Sequence, residues 1–217
     1  MVSAIHGGLG YHPSFRVLHA HGNLYRGVFK ATPEAKTYTR ATHLQGEPVP
    51  VTVRFSTGGG DPDAKPKATV GMATKFYLPD GRITDLVMLN APSFFIRKPE
   101  ELMLLADALT PLASTGQPDP VKLHTFLASH PASAAALDVR HKMLAPVSFA
   151  KTQFYCIHAF RFINADGVVR YAKYHWVPED GVDGQLLPPG YKDTTPVWGC
   201  GSGFLADQPT RLPTVIC

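Results

Sequence analysis

The chain has 217 residues, of which 44% are hydrophobic and 18% charged, with a formal net charge of +4. That is enough apolar material for one domain with a real core, too short a chain for two full domains, and far from the charge-rich composition of a disordered polymer. Lys and Arg are scattered without a run of like charge, no stretch approaches the ~18 consecutive apolar residues of a membrane helix, and the N-terminus lacks a charged region leading into an apolar one, so nucleic-acid binding and membrane insertion are not indicated and a soluble cytoplasmic protein is expected.

Residues 1–13 hold Gly7, Gly8, Gly10 and Pro13 with little periodicity and read as an arm or loop. Phe15 to Lys30 contains Gly22 and Gly27 and reads as strand, bend, strand; Pro33 to Tyr38 reads as a short helix. Val51-Thr52-Val53-Arg54-Phe55 is β-branched and alternating, a strand ended by Gly58-Gly59-Gly60-Asp61-Pro62. That glycine run lacks the Lys-Ser/Thr of a phosphate-binding loop and leads into prolines, so a turn is preferred. Met72 to Leu78 and Ile83 to Leu89 are strands joined by Pro79-Asp80-Gly81-Arg82, which predicts an antiparallel meander. Pro99-Glu100-Glu101-Leu102 opens a helix to about Leu109, because proline suits the first turn and carboxylates suit the positive end of the helix dipole. Helices are also expected over Val121–Ser129 and Ala132–Leu137, broken at His130-Pro131. Gln153–Asn164 and Val168–Val177 read as strands joined by a hairpin at Asn164-Ala165-Asp166-Gly167. Beyond Tyr191 no period is visible. The cysteines, Cys156, Cys200 and Cys217, show no metal-type spacing and are expected to be reduced thiols.

One stretch carries unusual chemistry for its setting: Phe15-Arg16-Val17-Leu18-His19-Ala20-His21-Gly22 places an arginine and histidines in an apolar run. A neutral imidazole can act as acid and base near neutral pH, while a guanidinium suits carboxylate or phosphate. Strict strand alternation would put Arg16 and His19 on opposite faces, so a bulge or bend is needed to bring both to one ligand. A zinc site built from His19, His21 and His43 lacks a carboxylate at a suitable spacing.

The pattern Arg-Val-x-His-Ala-x-Gly resembles the distal-side segment of haem catalases and of the smaller catalase-related peroxidases. The resemblance continues in order through Val53-Arg54-Phe55-Ser56-Thr57, Gly71-Met72-Ala73-Thr74-Lys75-Phe76-Tyr77, Asp85-Leu86-Val87 and Pro92-Ser93-Phe94-Phe95-Ile96-Arg97, and covers roughly Tyr11 to Tyr191. It implies an α+β fold centred on an antiparallel β-barrel of the catalase type, with a few helices. It also implies a haem b cofactor and an oxidoreductase that reduces hydrogen peroxide or organic peroxides with a small electron donor, in defence against oxidative stress, and is compatible with a homo-oligomer. His19 matches the distal histidine and Ser56 the serine that holds that imidazole. Arg16 and Arg54 match contacts to the haem propionates, Phe94 and Phe95 the aromatic wall of the distal pocket, and His158 a position near the haem edge.

Against the family pattern, the first of two consecutive asparagines is Leu89 and the second is Asn90, so a catalytic amide is expected only at Asn90 and peroxidase chemistry is favoured over disproportionation. Val70 stands where an arginine is usual and Leu102 where an aromatic is usual. The resemblance stops before the family's proximal tyrosine ligand, and Tyr191 lacks its motif. Residues 1–191 are therefore expected to form a partial catalase-like core and 192–217 a non-matching tail from a truncated or frame-shifted end. Such a chain would have an open sheet edge near Gln153 to Val177, poor haem binding and a tendency to self-associate; the alternative function is a non-catalytic barrel without the iron ligand.

Overall fold

A computed structural model describes residues 3, 6, 11–60, 69–143, 146, 148–179 and 181–182, and the backbone of 202–204 and 212–216. Four long strands build its first half: β1 (Gly22–Phe29), β2 (Val49–Thr57), β3 (Val70–Tyr77) and β4 (Ile83–Leu89), each antiparallel to the next. The register follows from alternation. Val51 lies opposite Phe76, Val53 opposite Thr74 and Phe55 opposite Met72, so one face of the sheet is buried and, Thr74 apart, apolar. That face curls around Phe29, Phe76, Phe154 and Trp176, all at most 1% exposed, and Phe29 meets Phe76 edge-on at 5.2 Å. Among the described residues the concave side of the curled sheet is filled by side chains.

The sheet continues β4–β5–β8–β10–β9, with β5 (Phe154–Tyr155), β8 (His175–Pro178), β9 (Ser202–Phe204) and β10 (Leu212–Ile216). Phe154 pairs with Trp176, and β9 comes up beside β1 at the other end of the sheet. The result is a curled antiparallel sheet of the barrel type with three helices beside it, an α+β fold as the resemblance implies.

The structure departs from the expected strand pattern at several points. Phe15 to Lys30 contains one strand, because Ser14 and His19 take left-handed backbone (φ 69° and 56°) and keep the chain in turns until Gly22. The strands drawn over Gln153–Asn164 and Val168–Val177 are each broken in two. Cys156 N–H still donates to Tyr174 O at 2.8 Å, after which β6 (Phe160–Ile163) and β7 (Val169–Ala172) leave the barrel as a separate hairpin packed on Tyr174. Its turn is the one read from Asn164 to Gly167, with Asn164 Oδ1 accepting from Val168 N–H at 2.8 Å. The edge near Val177 is not open: β10 pairs with β8, Ile216 opposite Val177, in a stretch where no element was expected. Tyr191 and residues 192–201 lie outside the described residues.

The helices are α1 (Pro99–Leu109), α2 (Pro120–Ser129) and α3 (Pro131–Lys142). Asp119 caps α2, accepting from Val121 and Lys122 N–H, and Glu101 Oε2 accepts from Arg97 N–H at 2.9 Å just before α1. α3 runs five residues past its expected end at Leu137. The turn Asp138 to Lys142 lacks apolar period, but Lys142 and Asp138 form an i,i+4 ion pair and the three basic residues Arg140, His141 and Lys142 sit at the negative end of the helix dipole. Leu105, Ala108 and Phe126 form a second small core, against which Phe95, Leu127 and Leu137 pack.

Candidate functional site

The face of β2 and β3 that points away from the barrel core carries Arg54, Ser56, Gly71 and Ala73, with Ser56 opposite Gly71 in the ladder. The 15–21 loop folds onto this face. His19 Nδ1 lies 2.9 Å from Ser56 Oγ, and the ring is seated on the β3 backbone: a Cβ built on Gly71 would come within 2.9 Å of His19 Cε1 and 3.0 Å of Nδ1. Only glycine leaves room for the imidazole there. Positive φ at His19 is the bend that alternation alone could not supply, since it turns the side chain down onto the sheet.

Arg54 holds the loop from below. Its Nη2 donates to His19 O at 2.8 Å and Ala20 O at 3.3 Å, while Ala20 N–H donates to Gly59 O and Thr57 N–H to His21 O. Gly22 makes this possible, because a Cβ there would collide with Phe55 O and approach Arg54 Nη2 to 2.9 Å. Burial, and then the positive charges of Arg54, Arg140 and Arg16, push the His19 pKa below its ordinary value. The ring is therefore neutral at pH 7. When Nδ1–H donates to Ser56 Oγ, Nε2 is left as the basic nitrogen.

Arg16 is exposed on the loop, and its charge reaches both His19 and Arg54. Asn90 is fully buried, with Oδ1 accepting from Val70 N–H at 2.9 Å and its own N–H donating to Val70 O, so it registers β4 against β3 one residue before the His19 seat. Leu89 lies opposite Gly71 in the ladder and puts an apolar side chain on the site face. The Phe94 and Phe95 rings lie tilted against each other with centroids 4.6 Å apart, and Phe95 continues into the helical core. His158 is exposed in the turn between β5 and β6, and no contact among the described residues joins it to His19, Ser56 or Arg54. His43 lies inside the barrel against Phe76 at 4.7 Å, on the opposite side of the sheet from His19, so the three histidines weighed for zinc do not converge.

Two members of the site escaped the sequence reading. Gly71 was part of a motif but had no physical role, although an isolated glycine in a strand signals close approach of another group. Arg140 lies beyond Leu137, where the apolar period of α3 stops. Its spacing from Ser133 and Ala136, the buried residues of α3, was the available signal.

A family model described as Catalase matches residues 13–186. A catalase-related peroxidase of Mycolicibacterium paratuberculosis is 42% identical over 180 residues, covering 82% of this chain and 56% of the relative. A second, from Synechococcus elongatus, is 36% identical and covers 83% of this chain and 54% of the relative. Among solved structures, a bacterial catalase superposes with a TM-score of 0.62 at 29% identity, over 78% of this chain and 34% of that one. The chain spans about half the length of the curated relatives it matches.

Proposed function

The chain belongs to the catalase family, and from that premise we propose that it carries the proton-handling side of a haem peroxidase site, acting on hydrogen peroxide or organic peroxides with a small electron donor. The observation that carries this reading is the seating of His19: a neutral imidazole, hydrogen-bonded through Nδ1 to Ser56 and wedged over Gly71. A ring so held cannot rotate away, and its Nε2 faces the task of taking a proton from one peroxide oxygen and delivering it to the other, so that water can leave.

The residues present fit one face of a haem. The rings of Phe94 and Phe95 supply an apolar wall, and Arg16 at the loop surface suits a propionate. Arg54 divides its role, since one of its nitrogens is already committed to the His19 and Ala20 carbonyls. The haem, when bound, supplies the redox chemistry at iron; the proximal ligand is not assigned among the described residues. Leu89 on the site face, in place of an amide, favours peroxidase over disproportionation chemistry, because an apolar group there cannot orient a second peroxide by hydrogen bonding.

The test is reconstitution of the chain with haem, followed by the Soret band and by peroxide consumption with and without an aromatic or thiol donor. Donor-dependent consumption with little oxygen evolution is expected. A Soret band without peroxide consumption would favour a non-catalytic haem-binding barrel, and oxygen evolution without donor would show that Leu89 does not set the reaction type.

A further inference from the structure

Arg140 projects from the buried face of α3, in line with Ser133 and Ala136. Two features of the His19 site meet at it. Its Nη2 donates to Thr69 Oγ1 at 2.9 Å, at the entry to β3 and two residues before the Gly71 seat. Its guanidinium lies 4.5 Å over the Phe95 ring, which in turn packs against Phe94. Thr69 O accepts from Gly58 N–H at 3.0 Å, and the neighbouring Thr57 and Gly59 hold His21 and Ala20. A single planar fork thus joins α3 to the floor under His19 and to the aromatic wall, which a flexible ammonium cannot do with equal geometry.

We propose that Arg140 is a positioning residue of this site, fixing the start of β3 through Thr69 and the Phe94–Phe95 pair through cation–π contact, so that the His19 seat and the aromatic wall keep one relative arrangement. The inference rests on the proposed role of His19 as the proton-handling group. Its charge acts on His19 together with those of Arg54 from β2 and Arg16 from the loop, and burial contributes more than any of the three.

The experiment uses the full 217-residue chain without haem, so its outcome does not depend on peroxide turnover. The His19 imidazole is titrated by NMR, and the Phe94 and Phe95 ring signals are followed, in the wild type, Arg140→Met and Arg140→Lys. Arg140→Met keeps the apolar stem and is expected to raise the His19 titration point and to shift or broaden the Phe95 ring signals. Arg140→Lys is expected to restore the titration point but not the ring signals. Should Arg140→Met not fold, Thr69→Val and Phe95→Leu remove one contact each and leave the charge in place; each is expected to disturb the His19 ring signals with little change in titration. In reconstituted enzyme, Arg140→Lys should lower the peroxide rate by about tenfold, the lower end for a residue acting through others. Unchanged His19 and Phe95 signals in Arg140→Met, or in both single-contact variants, would overturn the proposal, and so would full recovery by lysine. If the signals respond as expected while no variant, wild type included, consumes peroxide, the positioning role stands and the proposed function fails.

Discussion

The barrel wall and the loop that lies on it are built by different means. In β2 and β3 seven consecutive residue pairs are in register, and alternate side chains from Val49 to Phe55 are buried in one core. The 15–21 loop has no ladder of its own; it is held by Arg54, by Ser56 and by single backbone bonds from Ala20 and to His21. Redundant apolar contacts make the wall stable and tolerant of small repacking. A handful of polar contacts makes the loop specific.

The largest effect expected from breaking this division is at His19. His19→Ala should lower peroxide turnover by ~10²–10⁴, the usual contribution of a general acid–base group, while the melting temperature stays close to wild type, because the ring covers the outer face and fills no core volume. Retention of more than about a tenth of the rate would show that another group moves the proton. Phe76→Ala is the converse. Phe76 is fully buried against Phe29 and His43, so denaturant unfolding should show a loss of about 3–5 kcal/mol, with the His19 titration unchanged wherever the variant remains folded.

A pH series sharpens the same contrast from inside the wall. His43 is 8% exposed, its Nε2 has no hydrogen-bond partner among the described residues, and burial pushes its pKa down to about 4 from the ordinary 6.5. As pH falls from 6.5 towards 4 the unfolded chain takes up this proton and the folded chain does not, so stability present above pH 6.5 is lost progressively across that window. The loss reaches about 3 kcal/mol. His43→Leu should flatten that part of the stability curve; identical pH dependence in both proteins would place the titrating group elsewhere. His19 moves in the same direction, so its base form should persist below pH 6.5 and the acid limb of peroxide turnover should lie below that value.

Gly71→Ala tests the seat itself. The added methyl must displace the His19 ring, so the His19–Ser56 hydrogen bond should be lost, at a cost of about 1 kcal/mol in stability and a clear change in the His19 titration. Ring signals identical to wild type would mean that the imidazole is not seated on Gly71. The smallest effect is expected for Arg54→Lys, which keeps the charge but not the geometry that serves two carbonyls with one nitrogen; the His19 signals should broaden while the melting temperature moves by no more than a few degrees.

The sequence by itself determined the wall. Alternation in Val51 to Phe55, the Pro79–Arg82 and Asn164–Gly167 turns, and the prolines at helix starts are local signals with a local physical cause; the strands β2 to β4, the helices and both turns are present, while the strands beside the second turn are shorter than expected. The ordered motifs also carried the family and the pairing of His19 with Ser56. What the tertiary structure alone decided lies where residues far apart in the chain share a small space. The left-handed backbone at His19 is stabilised by Arg54, 35 residues away. The need for glycine at 71 exists only because an imidazole lands there, and Arg140 reaches Thr69 across 71 residues. The split of the 153–177 strands, and the pairing of β10 with β8, depend on which segments meet in the sheet and carry no mark in the residue pattern. Periodicity reports how a segment meets water and core; it is silent about which distant side chain arrives to complete a hydrogen bond or to exclude a methyl group.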